Sequence, residues 1–443
     1  MEKSYIQRFQ KFSVLLMDPE LANHARKKDS NTFTRDRKMP LKDMLLCCLS
    51  KKGLTTIFEL RNYFKQKEVW PMQLSVQGYL QQRKRLNPEV FSYLNSEYLK
   101  DFYSSDEVEL WNGYLLLAID GSKAEVPNSR ENRERFGQSN NQHSQVGQVR
   151  ALVSGMYDVL NRFYLDIEIE HISISENELA KQNLRHLKNM NLKQPILVIF
   201  DRGYPAIEFV DFLESQGIHY LFRLSSNDYI VERTKMKSHD ETVLLTHTSQ
   251  RLTKIRKKHP ECYEHMKEKG KTQVRISVSE LPSGKDLTLM TNLPTEITPR
   301  QLSDLYYQRW EIEKKYHTLK NKMKFESVTG KSTIYVYQDF WSQILVYNMI
   351  QDIRKSTDKE VAITGKKNGK KYPMHTNENL TIGLFKESMI KIVLVNSFHK
   401  RVKMLEELQK EMENYVLPIR VLPNRGRKKN LSNKYRNNQK NSF

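Results

Sequence analysis

The chain has 443 residues, 38% hydrophobic and 28% charged, which excludes a disordered polymer and leaves room for two to four domains. Lysine and arginine outnumber aspartate and glutamate by 73 to 52, a formal charge of +21. A surplus of that size selects a polyanionic partner, because neutralised phosphates release counterions.

Three cysteines, Cys47, Cys48 and Cys262, make no disulfide framework. There is no run of about 18 apolar residues, and the opening MEKSYIQRFQ lacks a signal-peptide core. The expectation is a cytoplasmic, nucleoid-associated protein with no membrane partner.

Residues 1–108 read as mostly helical. LKDMLLCCLS, LTTIFELRNYFKQ and SVQGYLQQRKRLN carry apolar residues at helical spacing. Ser75 is a good N-cap for the third, which then offers Gln81, Gln82, Arg83, Lys84 and Arg85, types that meet phosphates and base edges. This is a candidate helical DNA-binding domain with Arg83, Lys84 and Arg85 as its contacts, the alternative being a solvated helix face. Cys47 and Cys48, adjacent in an apolar helix, read as core packing.

From residue 109 the pattern changes. YLLLAID (114–120) is a short continuous apolar run, as expected of a strand buried on both faces. QVRALVSGMYDV and RFYLDIEIEHI follow as a hairpin. ISENELAKQNLRHLKNM then reads as a helix, PILVIFD (195–201) as a buried strand, AIEFVDFLESQG as a helix and IHYLFRL (218–224) as a strand. The expected fold is α/β, a mixed sheet flanked by helices.

Residues 225–299 look like a β-rich insertion, with strands at TQVRISVSE and DLTLMTN joined around Pro282, Ser283 and Gly284. Before them, RLTKIRKKHPECYEHMKEKGK (251–271) has eight basic and three acidic residues, making Arg256, Lys257 and Lys258 further DNA-binding candidates. His259, Cys262 and His265 in that stretch lack a fourth ligand for structural zinc.

Thr298, Pro299 and Gln301 form the capped start of a helix running to about Lys324. Helices follow at YVYQDFWSQILVYNMIQDIRK and near 380–412, separated by the polar loop GKKNGKK (365–371). The end, 425–443, has seven basic residues and no acidic one, a candidate disordered tail.

Asp120 and Asp201 each end a buried strand and are followed within two residues by Gly121 or Gly203. That edge of an α/β sheet is where reactive groups collect. On the capped helix, Tyr306, Arg309, Glu313 and Lys320 fall at about 0°, 300°, 340° and 320° at 100° per residue, in one stripe beside the apolar one. A solvated face is the plain alternative, but a carboxylate, two cations and a phenol bordering the core suit phosphoryl transfer. Carboxylates take hard Mg²⁺ or Mn²⁺ ions, and Arg309, Lys320 and Tyr306 suit contacts to DNA phosphates.

Tyr306-x2-Arg309-x3-Glu313-x6-Lys320 resembles, position for position, the Tyr-Arg-Glu-Lys motif of DDE transposases in the bacterial family named after insertion sequence four. AIDGS around Asp120 and FDRGY around Asp201 are similar to its other two motifs. The resemblance covers roughly 100–350 well and the rest loosely.

It implies a ribonuclease-H-like fold and a catalytic, metal-holding triad of Asp120, Asp201 and Glu313 with two Mg²⁺ (or Mn²⁺) ions per site. It also implies a homodimer that binds terminal inverted repeats in double-stranded DNA and moves them by cut-and-paste transposition into target DNA. The matching domains are an N-terminal 1–108, a catalytic core of 109–224 plus 300–355, a β-strand insertion of 225–299, and a helical, possibly dimerising 356–424. Family members stack a flipped base on a tryptophan of the insertion, whereas Trp70, Trp111, Trp310 and Trp341 all lie outside 225–299; a Tyr, Phe or His would have to stack instead. The competing readings are a ribonuclease-H-like nuclease without strand transfer and a catalytically silent DNA-binding transposition regulator.

Overall fold

A computed structural model describes residues 3–420 except 29, 35–37, 70–71, 73, 140–146 and 282–283. The basic tail at 425–443, Trp70, Pro282 and Ser283 therefore lie outside the described residues.

The chain opens with α1 (Ser4–Leu15), α2 (Leu21–Ala25), α3 (Leu41–Leu49), α4 (Thr56–Gln66), α5 (Val76–Arg83) and α6 (Glu89–Tyr103). Next come β1 (Leu115–Glu125), α7 (Arg130–Phe136), β2 (Gln138–Ser139), β3 (Gln148–Asp158), β4 (Phe163–His171), α8 (Glu176–Leu187), β5 (Ile196–Phe200), α9 (Ile207–Ser215) and β6 (His219–Arg223). Then follow α10 (Ile230–Arg233), β7 (Asp240–Thr246), α11 (Ser249–Lys258), α12 (Pro260–Lys269), β8 (Lys271–Glu280) and β9 (Asp286–Thr291). The last part holds α13 (Pro299–Tyr307), α14 (Trp310–His317), α15 (Thr333–Lys367), β10 (Met374–Thr376), α16 (Glu378–Leu394), α17 (Phe398–Glu413) and β11 (Val416–Pro418).

Two compact units result. One comprises residues 105–124 and 136–316, the other 1–104, 125–135 and 317–443. The first is built on a sheet of order β2-β3-β1-β5-β6-β9-β8-β7, with β4 also paired to β3. Its centre is dictated by sequence: Leu115 to Ile119 and Leu197 to Phe200 are buried, so both faces of β1 and β5 are covered and their side chains must be apolar throughout. β1, β5 and β6 are parallel neighbours, and β3 and β4 form the expected antiparallel hairpin. The strand order β4-β3-β1-β5-β6 is the ribonuclease-H-like arrangement. Helix α8 packs on β3 and β4, and α13 packs on β6, β8 and β9.

The structure redraws two boundaries. The segment 225–299 does not stand apart: β9 pairs antiparallel with β6, and β8 and β7 extend the same sheet beyond it. Unpaired backbone at the edge of β6 would otherwise face solvent, and β9 supplies its partners. The basic stretch within the segment forms α11 and α12. The expected core segment 300–355 is also divided, since its residues from His317 onward group with the N-terminal helices.

The second unit is helical. Its longest element, the 35-residue α15, is buried over most of its length and packs against α1, α3, α6, α16 and α17. Cys47 and Cys48 lie in this core as free thiols. At its heart Asp339 accepts from Lys51 Nζ at 2.6 Å, Arg83 Nη2 at 2.5 Å and the Thr329 amide at 2.6 Å. Burying that carboxylate is tolerable because three donors, two of them cationic, meet its oxygens.

Arg83 is thus a correction to the sequence reading. It is 1% exposed and bound to Asp339 and Gln338, so it holds helices together and presents nothing to DNA. Its neighbours Lys84 and Arg85 are exposed. Ser75 caps α5 as expected, accepting from the Gly78 amide. Helix α15 runs through Gly365 to Lys367, so the loop placed at 365–371 starts later. Among the described residues no helix is long and apolar enough to cross a membrane.

Candidate active site

Parallel register delivers the first two acids. Ala118 of β1 lies opposite Ile199 of β5, and continuing two residues in that register brings Asp120 alongside Asp201. Asp201 sits one residue past the end of β5, while β1 continues past Asp120 to Glu125.

The helix expected over 298–324 is not continuous. Thr298 and Gln301 form the capping box that starts α13, but α13 stops at Tyr307 and α14 begins at Trp310. Between them the amides of Gln308, Arg309, Glu311 and Ile312 bond to carbonyls three residues back. Three-residue turns eclipse positions i and i+3, which stacks Arg309 on Tyr306, with the guanidinium carbon 5.8 Å from the ring centroid. A straight helix would have set those two residues about 60° apart. After α14 a five-residue π-helical turn, Thr318–Lys322, carries Lys320.

Arg309 is 2% exposed and links two of the acids. Its Nη2 lies 2.7 Å from Glu313 Oε1 and its Nη1 3.9 Å from Asp120 Oδ2. Tyr306, also 2% exposed, donates to Asp201 Oδ1 at 3.1 Å. Burial and the neighbouring Asp201 push the Tyr306 hydroxyl up to about 12. The Tyr306 hydroxyl, expected at a DNA phosphate, is here aimed at Asp201 and orients that carboxylate. Tyr306, Arg309, Glu313, Asp120 and Asp201 are therefore one connected group. Lys320 belongs to the other unit, where its Nζ lies 3.6 Å from Glu326 Oε1.

The electrostatics of the group are unbalanced. Burial pushes Asp120 up to about 7, with Glu176 and Glu313 adding to the rise against the opposing pull of Arg309. Arg309 is held above its ordinary value: burial opposes its charge, but Tyr306, Asp201 and Glu313 outweigh it. Its buried Nε and Nη1 have no hydrogen-bond acceptor, although a guanidinium offers five donors. Unspent donors beside clustered carboxylates suit a phosphate held together with cations.

Sequence reasoning missed two residues here. Tyr316 of α14 places its hydroxyl 2.8 Å from the Asp120 carbonyl and 3.2 Å from that of Val153, fastening α14 to the sheet. Glu176 opens α8 beside the aspartates. The Gly after each aspartate was the available signal, because a missing side chain there makes room for something else.

Other clusters are self-satisfied. Asp166, Glu168 and His186 bring ligand atoms within 4.8 Å of one another, but His186 Nδ1 already lies 3.2 and 2.9 Å from the two carboxylates. Those contacts, Asp166 first, push His186 up to about 10. His259 lies near Glu178, Glu208 and Glu261, His265 near Asp211, and Cys262 Sγ 3.8 Å from Glu261 Oε1, so all three contact carboxylates. Arg256, Lys257 and Lys258 are exposed on the last turn of α11.

A mixed sheet that brings two aspartates to one edge, met by a glutamate from a following helix, defines an acid-centred enzyme of ribonuclease-H-like build. The family model "Transposase DDE domain" matches residues 111–349, and the chain belongs to that family of DDE transposases, metal-dependent enzymes that cleave and transfer DNA strands. It is similar to the transposase InsG for insertion sequence element IS4 of Escherichia coli (strain K12), with 23% identity over 346 residues, 76% of this chain and 74% of that one. Among solved structures it is similar to the piggyBac transposase in a synaptic complex with hairpin DNA, at 9% identity, TM-score 0.40, covering 93% of this chain and 79% of the other. The Mos1 transposase in a paired-end complex with the left transposon end gives 13% identity and TM-score 0.18 over 44% of this chain and 61% of that one.

Proposed function

We propose that this chain is the transposase of a bacterial insertion sequence, a cytoplasmic enzyme that binds the element's terminal inverted repeats as a homodimer and moves it by cut-and-paste. Asp120, Asp201 and Glu313 are its catalytic acids. The observation that carries the reading is Arg309: a buried guanidinium set between Glu313 and Asp120 with two donors unspent.

The donor set fits divalent cations. Glu176 and Glu313 add to the affinity of the Asp120 carboxyl for a proton, and the same surplus of negative charge suits a hard metal ion, since all the ligand atoms are oxygen. Two Mg²⁺ (or Mn²⁺) ions, when bound by Asp120, Asp201 and Glu313, activate the attacking oxygen and stabilise the leaving one.

The residues around them do the rest. Arg309 donates its free Nε–H and Nη1–H to the scissile phosphate, where charge grows during in-line displacement. Tyr306 fixes the Asp201 carboxylate, and Tyr316 fixes the Asp120 backbone. Lys320 contacts a flanking phosphate. Lys84, Arg85, Arg256, Lys257 and Lys258 supply sequence-independent attraction to the duplex.

Replacing Asp120, Asp201 or Glu313 by Ala should abolish cleavage of a terminal-repeat duplex and leave DNA binding largely intact; cleavage retained in any one variant removes that residue from the triad. Pre-cut ends with a free 3′ hydroxyl should be joined to target DNA by the unaltered enzyme, and cleavage without joined product would mark a nuclease instead. Inverted repeats bracketed by a short direct duplication around the gene are the expected genomic context.

A further inference from the structure

We propose that Glu176 is a fourth carboxylate of the cation site, an oxygen donor acting with Asp120 and Asp201; the proposal rests on the catalytic reading above.

Three observations place it there. A Cβ added to Gly121, the residue after Asp120, would lie 2.7 Å from the Glu176 carboxyl carbon, and one added to Gly203, two residues after Asp201, would lie 3.9 Å from its Oε2. The carboxylate thus occupies the space that these two glycines leave open, on the edge where both aspartates emerge. Helix α8 sets it there: Ser175 caps the helix by accepting from the Glu178 amide, which makes Glu176 its first residue. Second, the fully buried Tyr204 hydroxyl faces Glu176 and Asp120 yet makes no hydrogen bond of good geometry, a buried polar group waiting for a ligand beside the acids. Third, charge does not balance. Four carboxylates meet two cations: Lys123, which acts on Glu176, and Arg309, which is engaged with Glu313 and near Asp120.

The test is Mn²⁺ binding by the full-length protein without DNA, followed by electron paramagnetic resonance of the free ion and by the Mn²⁺-dependent rise in melting temperature. The unaltered protein should bind, and Asp120→Asn should lose binding. Glu176→Gln, which keeps shape and removes charge, should weaken Mn²⁺ affinity by about tenfold or more, and Gly121→Ala, which displaces the carboxylate, should do the same. Metal-free melting controls for folding, and Glu176→Asp serves as the second variant if Glu176→Gln folds poorly. Glu176 variants that bind Mn²⁺ as the unaltered protein does, while Asp120→Asn does not, overturn the role of Glu176 and leave the catalytic reading standing. If the unaltered protein binds no Mn²⁺, the cation site itself falls, and Glu176 with it.

Discussion

The Tyr316 hydroxyl lies 2.8 Å from the main-chain carbonyl of Asp120, so the helix that carries one acid is fastened to the strand that carries another. Tyr316→Phe keeps the ring and removes the bond. It should cost about 1 kcal/mol of stability and lower single-turnover cleavage by more than that loss explains, because Glu313 is then held less firmly against Asp120. Urea denaturation and cleavage by the same preparation separate the effects. Unchanged cleavage would reduce Tyr316 to packing.

Gly155 of β3 makes that contact possible. A Cβ there would stand 2.8 Å from the Tyr316 hydroxyl and 2.9 Å from the Tyr164 ring. Gly155→Ala should therefore destabilise by about 1–3 kcal/mol through overpacking, read as a lower denaturation midpoint with an unchanged slope. A neutral result would mean that the two tyrosines shift aside freely.

Asp120 makes the metal-free protein sensitive to pH in an uncommon direction. Its carboxyl titrates near 7 in the fold against 3.8 ordinarily, so the native state keeps a proton that the unfolded chain has released. Its contribution to stability is full below about pH 4 and is lost as pH rises towards 7. Asp120→Asn should flatten this slope and melt higher than the unaltered protein at pH 7 in chelator. Added Mn²⁺ should stabilise only the unaltered protein. A slope unchanged by the substitution would assign the effect to another group.

Arg83 and the lysines of α11 should behave oppositely. Arg83→Ala leaves Asp339 and Lys51 as a broken buried cluster, and should cost about 3–5 kcal/mol in urea denaturation. An Arg83 variant as stable as the unaltered protein would contradict that role.

Lys257→Ala and Lys258→Ala should leave stability within about 0.5 kcal/mol and lower DNA affinity whatever the sequence. Each should reduce the slope of log affinity against log salt by about 0.9. An unchanged slope means no phosphate contact at that residue.

The central sheet was readable because burial on both faces forces unbroken apolar runs, as in LLLAI before Asp120 and ILVIF before Asp201. The grouping of Asp120, Asp201 and Glu313 was readable because a motif on a capped helix pointed back to the two strand-end aspartates. What sequence could not show was set by distant partners. Arg83 looks like a surface cation until Asp339, far along the chain, takes it. The attachment of β9 to β6 depends on backbone pairing that leaves no mark in residue type. The break at Gln308 has no proline or glycine to announce it, and it accompanies the seating of the buried Arg309 against Glu313. Glu176 reads locally as an ordinary first-turn acid of a helix.

The pairing of β9 with β6 also sets an order of events on the ribosome. The chain must run past β6 to build β7 and β8 at the far end of the sheet, and return as β9, before it reaches the helix bearing Glu313. Both aspartates are synthesised long before the third acid arrives. A nascent polypeptide, or one ended early by a broken message, carries Asp120 and Asp201 without Glu313, so the group around Arg309 is complete only once synthesis has passed through the whole sheet.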